Sequence, residues 1–148
     1  MGAGRSSPDD LVFAVDLGTG GPKVAYVSLA GEVVDHEHQR VEMRTLADGG
    51  AVEDPDEWWS AIVESALRIA ARGSVPPERV VAAACTGQWG STVPVDAGGR
   101  AVGDCLLWLD HRGRRLARDR LGGGPTVAGY RPRAAVEWIR RAGGAPSP

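Results

Sequence analysis

Apolar positions in the first third of the chain follow the short, alternating pattern of β-strands. An apolar run extends from Leu11 to Val15 and ends at Asp16, and a second extended pattern resumes at Val24. Three glycines and a proline separate the two runs. Because proline has no N–H to donate, Pro22 is expected in the turn rather than within a strand. A third extended stretch covers Glu32 to Glu42, so the pattern predicts three antiparallel strands followed by a loop from Thr45 to Gly50.

A helical stripe replaces the strand pattern after residue 53. Asp54 and Pro55 form a strong helix start, since an aspartate accepts from free N–H groups and proline suits the first helical position. Gly73 is predicted to end the helix. Trp58 and Trp59 are expected to face the core as a pair. Two shorter helices are predicted at Leu116–Leu121 and Ala134–Arg141.

The run from Val80 to Cys85 is continuously apolar, which is typical of a strand covered on both faces. Its position after a helix predicts pairing parallel to the first strand through a right-handed crossover. Three antiparallel strands, a helix and a parallel strand form the order of the ribonuclease H-like, actin-like ATPase core, an α/β fold with a mixed sheet. Ligands gather at the carboxyl ends of strands in such sheets, so Asp16 and Thr86-Gly87-Gln88 are expected to lie close together.

Composition narrows the class of protein without choosing a function. The chain has 148 residues and a net charge of −2, with 43% hydrophobic and 24% charged residues, as in an ordinary globular domain. Residues 1–10 are expected to be a disordered leader, and residues 145–148 a frayed end. Cys85 and Cys105 have no metal-site or disulfide spacing, which favours a reduced, cytoplasmic setting. No apolar run reaches the length of a membrane span.

Positive charge is concentrated near the carboxyl end, where residues 112–148 carry nine arginines and only two carboxylates. Such a tail occurs in nucleic-acid-binding proteins, but few aromatic side chains are interleaved for base stacking. A solvated helix face is the favoured interpretation, and no nucleic acid is expected as a partner.

The glycine turn after Asp16 is a candidate phosphate site. Its cofactor-binding candidates are Gly18, Thr19, Gly20, Gly21 and Lys23. Glycine allows the backbone to approach an anion closely, so several N–H groups can point at one phosphate while Asp16 holds Mg²⁺ through water. Walker and dinucleotide loops require a helix next, whereas a strand is predicted here. An ordinary glycine-rich hairpin with a surface aspartate remains the alternative from spacing alone.

Two later stretches combine amide, aromatic and charged groups in a way that suits a sugar. The candidates are Gln88, Trp89, Gly90, Trp108, Asp110 and Arg112. Sugar hydroxyls take directed hydrogen bonds while the C–H faces lie on aromatic rings. In an extended segment, Asp110 and Arg112 point to the same side and are able to bind vicinal hydroxyls. The alternative is a surface ion pair beside a core Trp108.

Four motifs resemble those of the FGGY carbohydrate kinases, the group of xylulokinase, gluconokinase and glycerol kinase. Asp16-Leu17-Gly18-Thr19 with Lys23 resembles the first phosphate motif. Asp54-Pro55-x-x-Trp58-Trp59 resembles a recurring xylulokinase stretch. Gly87-Gln88-Trp89-Gly90 and Trp108-x-Asp110-x-Arg112 fall where xylulokinase-like kinases carry Gly-Gln-Met-His-Gly and Trp-x-Asp-x-Arg at the sugar site. Because Trp89 and Gly90 replace Met-His, the resemblance implies a polyol or ketose and leaves the individual sugar open.

The resemblance implies transfer of the γ-phosphoryl group of ATP, with Mg²⁺, to a sugar or polyol hydroxyl. Residues 11–144 would form the N-terminal portion of the first kinase domain, which makes the domain incomplete. The family's catalytic base and adenosine pocket lie in a missing C-terminal half, in the same reading frame or on a separate chain. Asp110 suits substrate orientation better than the role of base. The alternative is an actin-like nucleotide-binding or interaction module without kinase activity.

Overall fold

The computed structural model describes residues 7–116 and 131–143 of the chain. The chain divides into two compact units, Met1–Leu109 and Asp110–Pro148. The described elements of the first unit are β1 (Leu11–Gly18), β2 (Gly21–Ser28), β3 (Val33–His38), β4 (Arg44–Thr45), β5 (Ala51–Glu53), α1 (Pro55–Arg72), a 3₁₀ turn (Pro77–Arg79), β6 (Val80–Gly87) and β7 (Cys105–Leu106). The second unit contains α2 (Pro132–Ala142).

A four-stranded mixed sheet forms the centre of the first unit, with strand order β3-β2-β1-β6. β1 and β2 pair in antiparallel fashion around a two-residue turn at Thr19 and Gly20, and β3 continues the antiparallel pairing. β6 pairs with β1 in parallel. The element order predicted from the sequence, including the parallel strand after the helix, is therefore confirmed.

The first hairpin differs from the prediction in two details. β1 continues past Asp16 to Gly18, and Pro22 lies inside β2, opposite Leu17. The expectation that Pro22 stays in the turn is wrong because alternate residues of an antiparallel strand direct their polar groups away from the neighbour. Pro22 directs its carbonyl to the β3 side, where it accepts from the backbone N–H of Gln39 at 3.2 Å. Its missing N–H therefore costs β1 no hydrogen bond.

The helix α1 begins and ends where its sequence signals predicted. The Asp54 carboxylate accepts from the backbone N–H of Asp56 at 2.9 Å, and Gly73 ends the helix. Ala61, Ser65 and Ile69 form the buried stripe at four-residue spacing. Trp59 is 67% exposed, so the expectation of a core-facing tryptophan pair is wrong for this residue. Each helical position turns by about 100°, which places Trp59 outside a stripe that Trp58 borders.

The apolar core between α1 and the sheet is small. Its buried members are Leu11, Val15, Val24, Ile69 and Val75. The odd-numbered residues of β1 share this face, so Asp16 lies on the opposite face of the sheet, because successive strand residues alternate.

Arg72 connects the end of α1 to the edge strand β3. Its guanidinium binds Asp35 at 2.7 Å and Glu37 at 2.5 Å, and the hydroxyl of Ser74 donates to Asp35 as well. These hydrogen bonds and charges hold the pKa values of both carboxyls below their ordinary range. The network fixes how the helix end lies along β3.

A second, three-stranded sheet with the order β4-β5-β7 was not predicted. The expected loop from Thr45 to Gly50 instead begins in β4, and its turn leads into β5. A small core of Ala51, Cys105 and Leu107 lies here, with Trp58, Val93 and Leu109 packed against it. Leu106 is also bridged to Thr92 by two backbone hydrogen bonds of 2.8 and 2.9 Å. This sheet is what connects the start of α1 to the Trp108 region.

β6 is an exposed edge strand, so the expectation of coverage on both faces is wrong. Every residue of β6 after Val80 is exposed, and Val81 keeps 55% of its surface accessible. In the described part of the chain, β1 is the strand that pairs with it. The apolar composition of β6 therefore matches a covered strand, while the described residues leave it exposed.

The structure describes part of the segment at each end of the chain. Ser7 to Asp10, the described part of the expected leader, form a turn in which Pro8 and Asp10 accept from the β2–β3 connection, so this part is ordered. In the second unit, α2 covers the helix expected at Ala134–Arg141, and Gly143 ends it. Most of the helix expected at Leu116–Leu121 lies outside the described residues. Within the described ranges, no helix combines the length and apolarity needed to cross a membrane.

Candidate functional site

The carboxyl ends of β1 and β6 open onto one pocket of about 330 Å³. It is lined by Asp16, Leu17, Gly18, Thr19, Gly87, Gln88, Trp89 and Trp108. Asp16 stands opposite Thr86 in the parallel pairing, which brings the glycine turn to the stretch that follows β6. The structure therefore brings together three predicted phosphate and metal residues and three predicted substrate residues.

The charged part of this pocket is a cross-strand pair. Asp16 and Lys23 are opposite each other in the β1–β2 hairpin, and the ammonium lies 3.1 Å from the carboxylate. Their side chains are 46% and 57% exposed, so the pair contributes little to stability. A Cβ placed on Gly18 would lie 3.3 Å from the Lys23 Nζ, which shows that the lysine reaches over the turn. Both groups are available to a ligand at low energetic cost.

Other predicted residues lie beside the pocket lining rather than in it, namely Gly20, Gly21, Lys23 and Gly90. Gly21 has a different and evident role. Its φ is +104°, and an added Cβ would lie 2.1 Å from the carbonyl oxygen of Gln39. Only glycine allows the hairpin to pass this close to the chain that leaves β3. Gly90 has a φ of +84°, and a Cβ added to it would lie 3.8 Å from the Trp108 Cβ.

Thr19 and Trp108 join the glycine turn to the predicted substrate wall. The indole N–H of Trp108 donates to the Thr19 hydroxyl at 3.2 Å. Trp89 and Trp108 are 70% and 57% exposed, so both present ring surface to solvent. Exposed indoles beside a polar turn supply the flat apolar surface on which a sugar ring can stack. This contact was not anticipated from the sequence, which separates the two residues widely.

The side-chain amide of Gln88 faces inward. The Ser91 hydroxyl donates to Gln88 Oε1 at 2.9 Å, and the Trp108 backbone N–H donates to Ser91 Oγ at 3.1 Å. Gln88 Nε2 is buried and has no hydrogen-bond partner among the described residues. In this arrangement Gln88 organises the loop that carries Ser91 and Trp108. Ser91 was not singled out from the sequence because its role depends on a contact 17 residues away.

Glu53 is a buried carboxyl directly behind this loop, and the sequence analysis missed it. It is fully buried, and its Oε2 accepts from the indole N–H of Trp58 at 2.8 Å. Burial is the main cause that raises the pKa of Glu53, and the Gln88 amide acts in the opposite direction. In the sequence, Glu53 follows two apolar residues, Ala51 and Val52, and directly precedes the helix cap Asp54. Such a position is usually solvated, so the pattern gave no reason to select it.

Asp110 and Arg112 belong to the second unit, where they form their own ion pair. Two guanidinium nitrogens of Arg112 contact Asp110 Oδ2, at 2.6 and 3.0 Å. The Asp110 side chain is 11% exposed and that of Arg112 is 35% exposed. The expected extended segment is wrong, because Arg112 lies in a turn and its backbone N–H donates to Asp110 Oδ1 at 3.0 Å. The two side chains are nevertheless next to each other, and each is bound by the other. Their predicted role at a sugar stays a prediction.

The donor set of the pocket fits a nucleotide-bound Mg²⁺ better than a metal held by protein alone. Asp16 is the carboxylate that lines the pocket. Among the described residues, no cluster of three or more His, Cys, Asp or Glu is placed to hold a metal ion. Mg²⁺ usually keeps several waters and takes one or two carboxylates together with substrate phosphates. A single half-exposed aspartate beside a glycine turn satisfies that requirement.

A mixed sheet with the strand order β3-β2-β1-β6, whose strand ends carry a glycine turn and a pocket, is typical of the α/β fold of the actin-like ATPase class. The comparisons with known proteins identify the family within this class. The model of the FGGY family of carbohydrate kinases, N-terminal domain, matches residues 11–120. The chain therefore belongs to this family.

Individual relatives agree with the family match. A xylulose kinase from Streptomyces coelicolor is 33% identical over 142 residues, which cover 93% of this chain and 26% of the relative. A glycerol kinase from Haloarcula marismortui is 29% identical over 133 residues, covering 89% of this chain and 24% of the relative. The solved xylulose kinase from Bifidobacterium adolescentis superposes with a TM-score of 0.69 at 28% identity, covering 95% of this chain and 27% of that one. The chain thus spans about a quarter of the length of these relatives.

Proposed function

We propose that this chain supplies the phosphate-binding turn and the substrate wall of an ATP-dependent kinase that phosphorylates a sugar or polyol. One observation carries the proposal: the pocket unites Asp16 and the glycine turn with Gln88, Trp89 and Trp108, and the Trp108–Thr19 hydrogen bond of 3.2 Å ties the two sides together. Phosphoryl transfer depends on positioning and charge stabilisation, so a phosphate site and a hydroxyl-bearing substrate must share one cavity.

Each side chain has a task that follows from its position. Bound ATP with Mg²⁺ supplies the transferable phosphoryl group. Asp16 would hold the metal through water, while Gly18 and Thr19 offer backbone N–H groups to phosphate oxygens. Lys23 neutralises Asp16 in this structure, and its ammonium would be available to a phosphate group where a cation replaced it at Asp16. Because the pair is exposed, this exchange requires little energy.

The substrate side is proposed to use the indoles for contact and the polar groups for orientation. Trp89 and Trp108 would cover the C–H face of the sugar. Asp110 and Arg112 are proposed to bind hydroxyls as a preformed pair, since a carboxylate accepts and a guanidinium donates. Gly90 is proposed to form part of the substrate wall next to Trp108. Gly20 and Gly21 are proposed to contribute backbone N–H groups to the phosphate turn.

Completion of the enzyme is proposed to need the part that corresponds to the remaining three quarters of the relatives. The apolar, exposed strand β6 is the feature that supports this, since it is built like an inner strand but lies at an edge. We propose that the complement, in the same reading frame or on a separate chain, adds its structure along β6. A cytoplasmic location is proposed from the two cysteines, which are both free thiols.

A nucleotide-binding module without sugar phosphorylation is the second candidate. It is favoured by the inward orientation of the Gln88 amide and by the Asp110–Arg112 pair, in which each group already has the other as partner. The two candidates share ATP·Mg²⁺ binding at Asp16 and differ in sugar binding at Trp108. They are separable by measuring the two ligands independently on the same protein.

The test is calorimetric titration of the full chain with ATP·Mg²⁺ and, separately, with xylulose, glycerol and erythritol. We expect Asp16→Asn to weaken ATP·Mg²⁺ binding about tenfold, which corresponds to about 1.4 kcal/mol. Trp108→Ala is expected to abolish sugar binding, because it removes both the ring surface and the bond to Thr19. Asp56→Asn and Trp59→Ala are the matched controls, since both residues lie in the first two turns of α1 and outside the lining of this pocket.

The outcomes separate the candidates. Sugar binding that is equal in wild type and Trp108→Ala contradicts the substrate wall. ATP·Mg²⁺ binding without binding of any polyol or sugar supports the nucleotide-binding module instead. Equal ATP·Mg²⁺ affinity in wild type and Asp16→Asn contradicts the phosphate site itself.

A further inference from the structure

Two buried polar atoms on opposite sides of one contact have no hydrogen-bond partner among the described residues. They are Glu53 Oε1 and Gln88 Nε2. One is an acceptor and the other a donor, and the Gln88 amide is close enough to favour the ionised form of Glu53. A buried polar group without a hydrogen-bond partner lowers the stability of the fold. A buried donor and a buried acceptor that both lack partners therefore need a structural or functional explanation.

Glu53 is held in place from three directions. It is the last residue of β5, where it stands opposite Cys105 of β7. Its Oε2 takes the Trp58 indole N–H at 2.8 Å, which ties it to the first turn of α1. It is completely buried, and its Oε1 has no hydrogen-bond partner among the described residues. A carboxyl fixed in this way is a rigid support rather than a mobile ligand.

The Gln88 side-chain amide connects the region around Glu53 to the pocket wall. Its Oε1 takes the Ser91 hydroxyl at 2.9 Å, and Ser91 Oγ takes the Trp108 backbone N–H at 3.1 Å. Trp108 then reaches Thr19 of the glycine turn through its indole. A row of hydrogen bonds therefore leads from Gln88 to both sides of the pocket, and the Gln88 amide is near enough to the buried Glu53 carboxyl to act on its pKa.

We propose that Glu53 is a positioning residue of the pocket, which orients the Gln88 amide and through it sets the place of Ser91 and Trp108. Glu53 does not touch the pocket, since it is absent from its lining. The inference rests on the proposed function only in calling Trp108 a substrate wall. The orientation of Gln88 itself is independent of any ligand.

The titration of Glu53 provides a readout. Among the described residues, Glu57 on α1 is the charged group that acts on it, together with the Trp58 and Gln88 donors, and Cys105 of β7 senses its charge. Because the folded-state pKa of Glu53 is raised, the protonated form is favoured by folding. Its contribution to stability is therefore present below the ordinary carboxyl pKa and is lost as pH rises through the raised value.

The experiment is a ¹⁵N–¹H correlation spectrum of the labelled full chain across that pH range. The sequence contains no asparagine and only two glutamines, Gln39 and Gln88, so the side-chain amide region holds two pairs of signals. We expect the Gln88 pair to shift with the titration of Glu53 and the Trp108 indole signal to follow it. In Glu53→Gln both responses are expected to disappear, while Gln39 keeps its signals as an internal control.

Glu78→Gln is the matched control variant, since Glu78 is an exposed carboxylate on the 3₁₀ turn. Glu53→Ala is expected to broaden the Trp108 signal, and Glu53→Gln to restore its sharpness because the amide keeps the shape and one acceptor. Gln88 and Trp108 signals that are the same in wild type, Glu53→Gln and Glu78→Gln would overturn the proposal. If the wild type binds no sugar, the proposed function fails, and the inference is still decided by these ligand-free signals.

Discussion

Gly20 and Gly21 are adjacent in the sequence and were predicted to share one role, but the hairpin uses them differently. A Cβ on Gly20 would meet nothing within 4 Å, whereas one on Gly21 would lie 2.1 Å from the Gln39 carbonyl. Gly21 also has a φ of +104°, which a side chain strongly disfavours. The fold alone therefore explains why residue 21 is a glycine, independently of any role in binding phosphate.

Gly21→Ala is accordingly expected to destabilise the protein by about 1–3 kcal/mol or more, since the backbone near Gln39 must move and the positive φ is strained. Gly20→Ala is the matched control and is expected to leave the unfolding free energy within about 0.5 kcal/mol of wild type. Urea unfolding followed by circular dichroism measures both. An equally mild effect of the two substitutions would show that the close approach at Gly21 is absent.

Some residues of the site could be predicted from the sequence and others could not. Asp16, Thr19 and Trp108 stood out because each follows a strand or a turn signal, and the structure brings all three to one pocket. Glu53 and Ser91 did not, because their roles are created by tertiary contacts. The sequence does not distinguish a buried carboxylate from a solvated one, because burial depends on the tertiary fold.

Among the elements, α1 and β3 are joined mainly through charge at their edges. Arg72 at the end of the helix binds two carboxylates that alternate along β3, and Arg68 one turn earlier reaches Glu37 at 3.3 Å. Because Asp35 and Glu37 lie on the same face of the strand, a single guanidinium spans both. This contact fixes the register between helix and strand where the apolar core is thin.

Arg72→Met is expected to lower the urea midpoint at pH 7 and to have a shrinking effect as the pH falls. The pKa values of Asp35 and Glu37 are lowered by Arg72, so their contribution to stability is present above the ordinary carboxyl pKa and is lost as pH falls through the lowered values. Urea titrations at several pH values give the profile. Arg100→Met, on an exposed hairpin turn, is the control; a pH-independent loss in Arg72→Met would contradict the charge explanation.

Elements with strong end signals were predicted well, and very short ones were not. Asp54, Pro55 and Gly73 bounded α1 correctly because capping is a local interaction. β4, β5 and β7 contain two or three residues each, which is too few for a periodic pattern to appear. They form only because distant segments supply their hydrogen-bond partners, so the sheet that supports Glu53 was missed.

At the scale of the whole molecule, β6 shows a mismatch between composition and environment. Its residues have the apolar sequence of an inner strand, which is why coverage on both faces was predicted, and yet they are exposed. The prediction of coverage on both faces is therefore wrong for β6 as the described residues surround it. The chain spans about a quarter of its relatives, as the 26% coverage of the Streptomyces coelicolor xylulose kinase illustrates.

The chain by itself is therefore expected to self-associate through β6 at micromolar concentration, because an apolar edge pairs with another copy. Val81→Lys is expected to shift sedimentation-velocity profiles toward the monomer, since Val81 is 55% exposed on that strand and a lysine charge opposes edge pairing. Val102→Lys, at a residue 63% exposed elsewhere, is the control. Equal association in both variants would place the contact away from β6.

An open strand edge also has a consequence for how much of this protein a cell can hold. On the proposal that a complement pairs with β6, copies that bind it bury this edge, while surplus copies expose it to one another and to the cellular proteases and chaperones that act on aggregation-prone chains. We expect the steady-state level of the chain to follow the supply of whatever completes its sheet, and to rise only when both are produced in step.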